Sequence, residues 1–230
     1  MTNRYIFIYA SVMVIVVALV LSGAATLLRP LQERNMRIEK MQNILSTIEI
    51  RATRAEAESL FEQYITTAKI LNNEGDEIEG DAFEVDLQDE VRKDPGDRQL
   101  PLFIAEVNGE QYFIVPLRGN GLWGPIWGYM ALESDMTTIR GANFDHASET
   151  PGLGAEIADR PFEEQFKGKK IFDPDSNFRP VRVVRAGAPP DDPHAVDGIS
   201  GGTITSNGVT NMLRNELELY EPYFRKRKTS

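Results

Sequence analysis

The 230-residue sequence contains no cysteine, and that single absence removes several classes of chemistry at once. Disulfides, thiolate zinc sites, cysteine-ligated iron-sulfur clusters and cysteine nucleophiles are excluded, and so is an acylated-cysteine lipoprotein anchor. Any redox function therefore needs an organic cofactor. A chain without thiols suits an oxidising compartment. Positive charge is also scarce: 25 basic residues stand against 35 acidic ones, a formal net charge of -10. A field of that sign repels nucleic acid instead of gathering counterions from it, so no DNA or RNA partner is expected. There are two histidines, His146 and His194, and the chain has no internal repeat and no low-complexity segment.

Hydrophobic residues make up 41% of the chain, enough for a substantial core. From Tyr5 to Leu28 no residue is charged, and the polar interruptions are Ser11, Ser22 and Thr26. This run exceeds the roughly 20 residues that span a bilayer and reads as a transmembrane helix. The small residues Ser22, Gly23, Ala24 and Ala25 would suit a signal-peptidase site, but the apolar stretch is longer than the usual signal-peptide core. An uncleaved single-pass anchor is expected. Arg4 precedes the helix, while Arg29, Arg34, Arg37 and Lys40 follow it, and by the positive-inside count alone this favours a cytoplasmic C-terminal side.

After Pro30, apolar residues at Ile38, Met41, Leu45 and Ile48 recur at helical spacing, and a second set runs through Leu60, Phe61, Tyr64, Ile65, Ala68 and Leu71. Two amphipathic helices are expected. The stretch from Glu74 to Asp97 is crowded with carboxylates, but it lacks the alternating oxygen ligands, glycine and distal glutamate of a calcium loop, and reads as a solvated acidic surface. Leu102 to Val107 and Gln111 to Leu117 are extended apolar runs joined by Asn108-Gly109, the dipeptide suited to a tight hairpin turn. Further strands are expected at Trp127 to Glu133, Thr137 to Ala142, Lys169 to Phe172 and Val181 to Arg185, with a short helix near Pro161 to Phe166. Asp191, Asp192 and His194 are metal-ligand types, yet Pro189, Pro190 and Pro193 make that stretch a surface linker. A C-terminal helix is expected over Ser206 to Phe224, with Val209, Met212, Leu213, Leu217 and Tyr220 on one buried face. The fold class is α+β, a mixed and mainly antiparallel sheet with packed helices. Three segments are expected: an anchor over 1–29, a helical stalk and packing helix over 30–73, and the sheet domain over 74–230.

The loop that opens into the last helix reads Asp197-Gly198-Ile199-Ser200-Gly201-Gly202-Thr203-Ile204-Thr205-Ser206. Glycines let backbone approach a ligand closely, and the unpaired N–H groups and positive dipole end of a helix start favour a phosphate. Such residues are also ordinary caps and turns. Gly198 to Gly202 matches the G-x-S-x-G nucleophile elbow, but both histidines precede Ser200, the reverse of the hydrolase chain order. An isoalloxazine ring needs flat apolar walls and a few hydrogen-bonding groups. Leu122, Trp123, Thr150 and Leu153 could supply them, although Trp123 and Trp127 could instead fill a core.

The loop resembles the flavinylation motif: an aspartate, two residues, serine or threonine, glycine, alanine, then an acceptor threonine. Thr203 falls on the acceptor, and Gly202 stands where alanine is usual. Two upstream segments extend the resemblance, Gly121-Leu122-Trp123-Gly124-Pro125-Ile126-Trp127-Gly128-Tyr129-Met130 and the H-A-S-E-T-P-G-L-G stretch from His146 to Gly154. In this order, and over nearly the whole chain, they resemble the C-subunit family of the sodium-translocating NADH:quinone oxidoreductase. The G subunit of the Rnf electron-transport complex is similar in E-T-P-G-L-G and the flavin loop, and the Gly-Leu-Trp stretch favours the former. The resemblance implies FMN joined by a phosphoester to Thr203, placed there by a flavin transferase, with Asp197, Ser200, Gly201, Gly202 and Thr205 forming the loop. It implies ring contacts from Leu122, Trp123, Thr150 and Leu153, with Glu149 and His146 supporting the loop, no metal, and no catalytic group beyond the flavin. The implied role is electron relay among the other membrane subunits of a complex that oxidises NADH, reduces quinone and exports sodium. It also implies the bacterial inner membrane, with the C-terminal domain on the periplasmic, extracytoplasmic side, against the charge count. A flavin-free assembly subunit is the alternative if Gly202 prevents modification.

Overall fold

The computed structural model describes residues 3–185 and 187–228; the outermost residues of the expected segments, Met1 and Ser230, lie outside these. The chain divides into two compact units, Met1–Met41 and Gln42–Ser230. Helix α1 runs Asn3–Thr47 without a break. It passes through Pro30, which has no N–H to give the carbonyl four residues back. Its apolar N-terminal portion is long enough to cross a membrane, and the side chains of Phe7, Leu19 and Leu27 there are exposed.

The second unit is built on a six-stranded antiparallel sheet. Helix α2 (Ala57–Tyr64) is followed by β1 (Ile65–Leu71), β2 (Glu77–Ile78), the short helix α3 (Leu87–Glu90), β3 (Leu100–Val107), β4 (Glu110–Asn120), β5 (Pro125–Leu132) and β6 (Ile139–His146). The strand order is β2-β1-β3-β4-β5-β6. A short helix α4 (Arg160–Glu163) then leads to β7 (Arg182–Val184) and β8 (Ala195–Asp197), which pair in parallel, and to helix α5 (Thr203–Lys228).

Both faces of the sheet are covered. Side chains alternate between faces along a strand, so Leu102, Phe113, Val115 and Met130 meet Val209, Leu213, Leu217 and Phe224 of α5 in one core. Their neighbours Phe103, Ala105, Ile114 and Ala131 form a second core with Ile44, Leu45 and Ile48 at the end of α1, and with Phe61 and Phe83. That is why β3 and β4 read as unbroken apolar runs. The Asn108-Gly109 turn has φ angles of 54° and 85°, as a tight hairpin requires. The end of α1 is held on β6, where the Asn143 side-chain amide donates to the Asn43 carbonyl and the Ser46 hydroxyl, each at 2.7 Å.

Three local expectations change. The second amphipathic helix stops at Tyr64, and Ile65–Leu71 is a strand paired with β3. The β-branched Ile65, Thr66, Thr67 and Ile70 favour extended chain, and cross-strand pairing outweighs the helical spacing. Lys169 to Phe172 forms isolated bridges from Lys170 to Thr138 and from Phe172 to Phe178 instead of a strand; its backbone N–H groups go to separate partners, Lys169 to the Phe166 carbonyl, Lys170 to that of Pro193 and Ile171 to that of Thr137. β6 begins two residues later than expected, because Asp135 ties down the Thr137 and Thr138 N–H groups at 2.8 Å. It then continues to His146.

Two carboxyls in this unit titrate far from their usual range. Burial pushes Glu163 up to about 7, opposed by the Phe144 N–H it accepts, and pushes Glu216 up to about 7 against the pull of the Arg98 guanidinium. The folded state therefore binds more protons than the unfolded chain above pH 4.5, the ordinary carboxyl value. The stability these groups contribute is complete below that pH and is lost as pH rises through about 7. Thermal unfolding followed by circular dichroism should show Tm falling across this window, and Glu163→Gln with Glu216→Gln should flatten the slope.

Candidate functional site

Three loops meet at the start of α5. The first is the turn from Gly121 to Gly124 between β4 and β5, closed by the Gly121 N–H on the Gly124 carbonyl at 2.8 Å. The second is the Glu149-to-Gly154 stretch that follows β6. The third is the glycine loop leaving β8. They enclose a cleft of about 220 Å³ lined by Leu122, Glu149, Thr150, Leu153, Gly154, Gly201, Gly202, Thr203, Ile204 and Thr205. Eight of the residues singled out in the sequence are thus brought together, from stretches that are far apart in the chain.

Glu149 is the joint between the loops. It is buried at 5% exposure. One carboxylate oxygen accepts the Trp123 N–H at 2.8 Å and the other accepts the Thr205 hydroxyl at 2.6 Å, while its own N–H donates to His146 Nδ1 at 3.2 Å. Glu149 therefore links all three loops, with His146 bonded to its backbone. A Cβ on Gly121 or on Gly154 would fall on this carboxylate, so both glycines make room for it.

Thr203 is the first residue of α5 and is half-buried at the edge of the cleft. The N–H groups of a helix's first turn lack intrahelical acceptors. The loop before it is closed by the Gly202 N–H on the Ile199 carbonyl at 3.0 Å and by Ser206, whose hydroxyl accepts the Ile199 N–H at 3.2 Å. Gly201 has φ +75°, the left-handed region that glycine tolerates. A Cβ at Gly202 would sit 3.0 Å from Ile199 Cγ2, so alanine there requires only a small shift of Ile199.

Three of the expected residues lie off the cleft lining. Trp123 stands beside the cleft with 65% of its surface exposed, which rules out a core-filling role for it. Asp197 is exposed at the end of β8, where its carboxylate accepts the Ala188 N–H at 2.5 Å and its N–H donates to Gln165 Oε1 at 2.8 Å. Ser200 is exposed on the turn. Two residues that sequence reasoning left out do line the cleft, Gly154 and Ile204. Gly154 was visible inside E-T-P-G-L-G, and Ile204 as an apolar residue off the buried stripe of α5.

The residues fit a flavin mononucleotide. The helix start and its hydroxyls suit a phosphate, and Leu122, Leu153 and Ile204 would offer a flavin ring apolar walls. Leu122, Leu153 and Ile204 are themselves 48%, 41% and 56% exposed, and the cleft is smaller than the roughly 300–1,000 Å³ of an enclosing ligand site. A ring held there keeps an edge at the surface. Elsewhere, Asp192 and His194 have protein partners of their own: Asp192 pairs with Arg182 at 2.9 Å, and His194 Nδ1 meets the Lys170 carbonyl at 2.8 Å.

Glu149→Ala leaves the Thr205 hydroxyl and the Trp123 N–H without their acceptor, and should cost about 2 kcal/mol or more in denaturant unfolding. Glu149→Gln retains one acceptor oxygen and should lose less. Equal stability of the alanine variant and the parent would remove Glu149 from this structural role.

Comparison with known proteins agrees with the geometry. Residues 121–218 match the FMN-binding domain family, a span that contains all three loops. The C subunit of the Na⁺-translocating NADH-quinone reductase of Vibrio vulnificus is 34% identical over 214 residues, covering 85% of this chain and 83% of that one. Its Yersinia pestis counterpart is 31% identical over 221 residues, covering 87% and 83%. The crystal structure of the C subunit from Parabacteroides distasonis superposes with a TM-score of 0.80 at 44% identity, covering 86% of this chain and 96% of that one. NqrC from Shewanella oneidensis gives 0.72 at 28% identity, covering 84% and 98%. The chain belongs to the family of C subunits of the Na⁺-translocating NADH-quinone reductase.

Proposed function

We propose that this chain is the electron-transfer flavoprotein subunit of a membrane-bound, sodium-exporting NADH:quinone reductase, and that it carries FMN through a phosphoester on Thr203. The observation that supports this most is the position of the Thr203 hydroxyl. It stands at the first turn of α5 and at the edge of a cleft whose apolar rim is open to solvent. When bound, FMN accepts and releases electrons, and the protein's part is to hold it and tune it. Thr205 and Glu149 fix the cleft floor, while Leu122, Leu153 and Ile204 flank the ring. The other subunits of the complex are the redox partners, and this chain turns over no substrate alone.

Asp197 and Ser200 serve a different purpose in this reading. Both are exposed and off the cleft, so a flavin transferase can read them while it delivers FMN to Thr203. The C-terminal domain lies on the extracytoplasmic side, anchored in the bacterial inner membrane by α1. A tether has a clear use there, because it holds the cofactor at high effective concentration where a dissociated flavin would be lost.

The protein made together with its transferase should fluoresce as a flavin band after denaturing electrophoresis. Thr203→Ala should abolish the band, Thr203→Ser should keep it, and mass analysis of the parent should find FMN on the peptide containing Thr203. A fluorescent band surviving in Thr203→Ala would refute the attachment site. Protease added to spheroplasts should digest the domain while an internal cytoplasmic marker survives; protection of the domain would reverse the assigned orientation.

A further inference from the structure

The second unit has a cavity larger than the flavin cleft. It measures about 680 Å³ and lies where the end of β4 and the connection from β2 to β3 face the middle of α5. Arg92, Arg98, Arg118, Asn120, Asn211 and Asn215 line it, and it shares no lining residue with the cleft around Thr203. Three arginines against one carboxylate, Glu216, thus line one hollow in a chain of net charge -10. Low-dielectric walls focus such a local field, so the hollow can attract anions that the rest of the surface repels.

The three arginines differ in how far they are already engaged. Arg98 is built into the wall: it pairs with Glu216 at 3.4 Å and donates to the Val91 carbonyl at 3.0 Å. Arg92 pairs with Asp89 at 3.1 Å, both groups exposed, a contact worth about 0–1 kcal/mol that a better acceptor displaces easily. Arg118 makes no ion pair among the described residues. It also lines an adjoining hollow of about 310 Å³ that includes Trp127 and Tyr129 and shares Gln88 and Pro125 with the larger one. The arginine forks match oxyanion geometry, and the side-chain amides of Asn120, Asn211 and Asn215 add donors. The volume falls within the roughly 300–1,000 Å³ of small-molecule sites. By contrast, the cavity beside Glu49 has its Arg140 and Lys167 already paired with that carboxylate.

We infer that this cavity binds a small, multiply charged oxyanion, of the phosphate-ester or polycarboxylate kind, gripped chiefly by Arg118 and Arg92. Asn211, on the cavity wall, lies six residues beyond Thr205, under two turns further along α5. The site therefore sits close to the flavin cleft without depending on what Thr203 carries.

Isothermal titration of the full-length protein in detergent tests this, using pyrophosphate, inorganic phosphate and citrate in separate arms against chloride of equal ionic strength. Saturable one-to-one binding is expected for at least one of the three, and which arm responds distinguishes a phosphate from a polycarboxylate ligand. Arg118→Gln should weaken that binding tenfold or more. Arg92→Gln, on the exposed wall, should weaken it independently, while Arg54→Gln, at an exposed residue outside the cavity lining, should leave it unchanged. Thr203→Ala should bind as the parent does, which separates this site from the flavin reading. Absence of saturable binding in all three arms, full affinity in Arg118→Gln, or loss of binding in Thr203→Ala would each overturn the inference.

Discussion

The candidate flavin site depends on one buried carboxylate. Glu149 reaches back 26 residues to the Trp123 N–H and forward 56 residues to the Thr205 hydroxyl. The Thr205 bond is buried and the Trp123 bond partly so, and a buried hydrogen-bonding group is costly to leave without its partner. The two bonds tie three loops together in one arrangement around the Thr203 cleft. The same carboxylate explains Gly121 and Gly154, because a side chain at either would occupy its place. Two glycines that look like turn punctuation in the sequence are thus there to let an acid through.

Glu149 can do this only because the elements beneath the loops are rigid. β4 and β5 stay paired out to Asn120 opposite Pro125, so the turn carrying Leu122 and Trp123 leaves the sheet at a defined point. α5 lies directly on that end of β4. Gly208 faces the Asn120 carbonyl and Gly119 faces Met212, with no space for a Cβ at either. The helix start is therefore placed by backbone-to-backbone approach as well as by the apolar stripe of Val209, Leu213 and Leu217. The parallel pairing of β8 with β7 fixes the other side, since the Gly198 N–H continues it onto the Val184 carbonyl at 2.8 Å. The glycine loop is short and anchored at both ends, which is how its exposed turn keeps a defined shape.

What could be read in the sequence was local. The hairpin at Asn108-Gly109 declares itself through turn chemistry, α5 through its period, and the flavin loop through a motif contained within ten residues. What could not be read was set by distant partners. Ile65 to Leu71 has apolar residues at helical spacing, but β3 supplies a row of hydrogen-bonding groups that a helix could not use. β8 is three residues long and exists because β7 lies beside it. The motif pointed to Asp197 and Ser200 as part of the loop, yet whether each lines the cleft depends on where β8 ends, which no spacing encodes. Glu149 could be named as a supporting residue, but not its two partners, because hydrogen bonds across 26 and 56 residues leave no local trace.

The size of the cleft gives physical sense to the proposed ester. At about 220 Å³ with an exposed rim, it can bury only part of a flavin, and the apolar area removed from water is correspondingly small. A fully enclosing pocket would hold the ring more tightly, but it would also insulate it from any protein that must exchange electrons with it. An open cleft leaves the ring accessible and binds it weakly, and a covalent bond at the helix start removes the consequence of weak binding without closing the cleft. The exposed apolar groups of Leu122, Trp123, Leu153 and Ile204 then have a shared explanation. In the proposed arrangement they would border the ring, where a redox partner must come close, and contact with that partner would remove their surface from water.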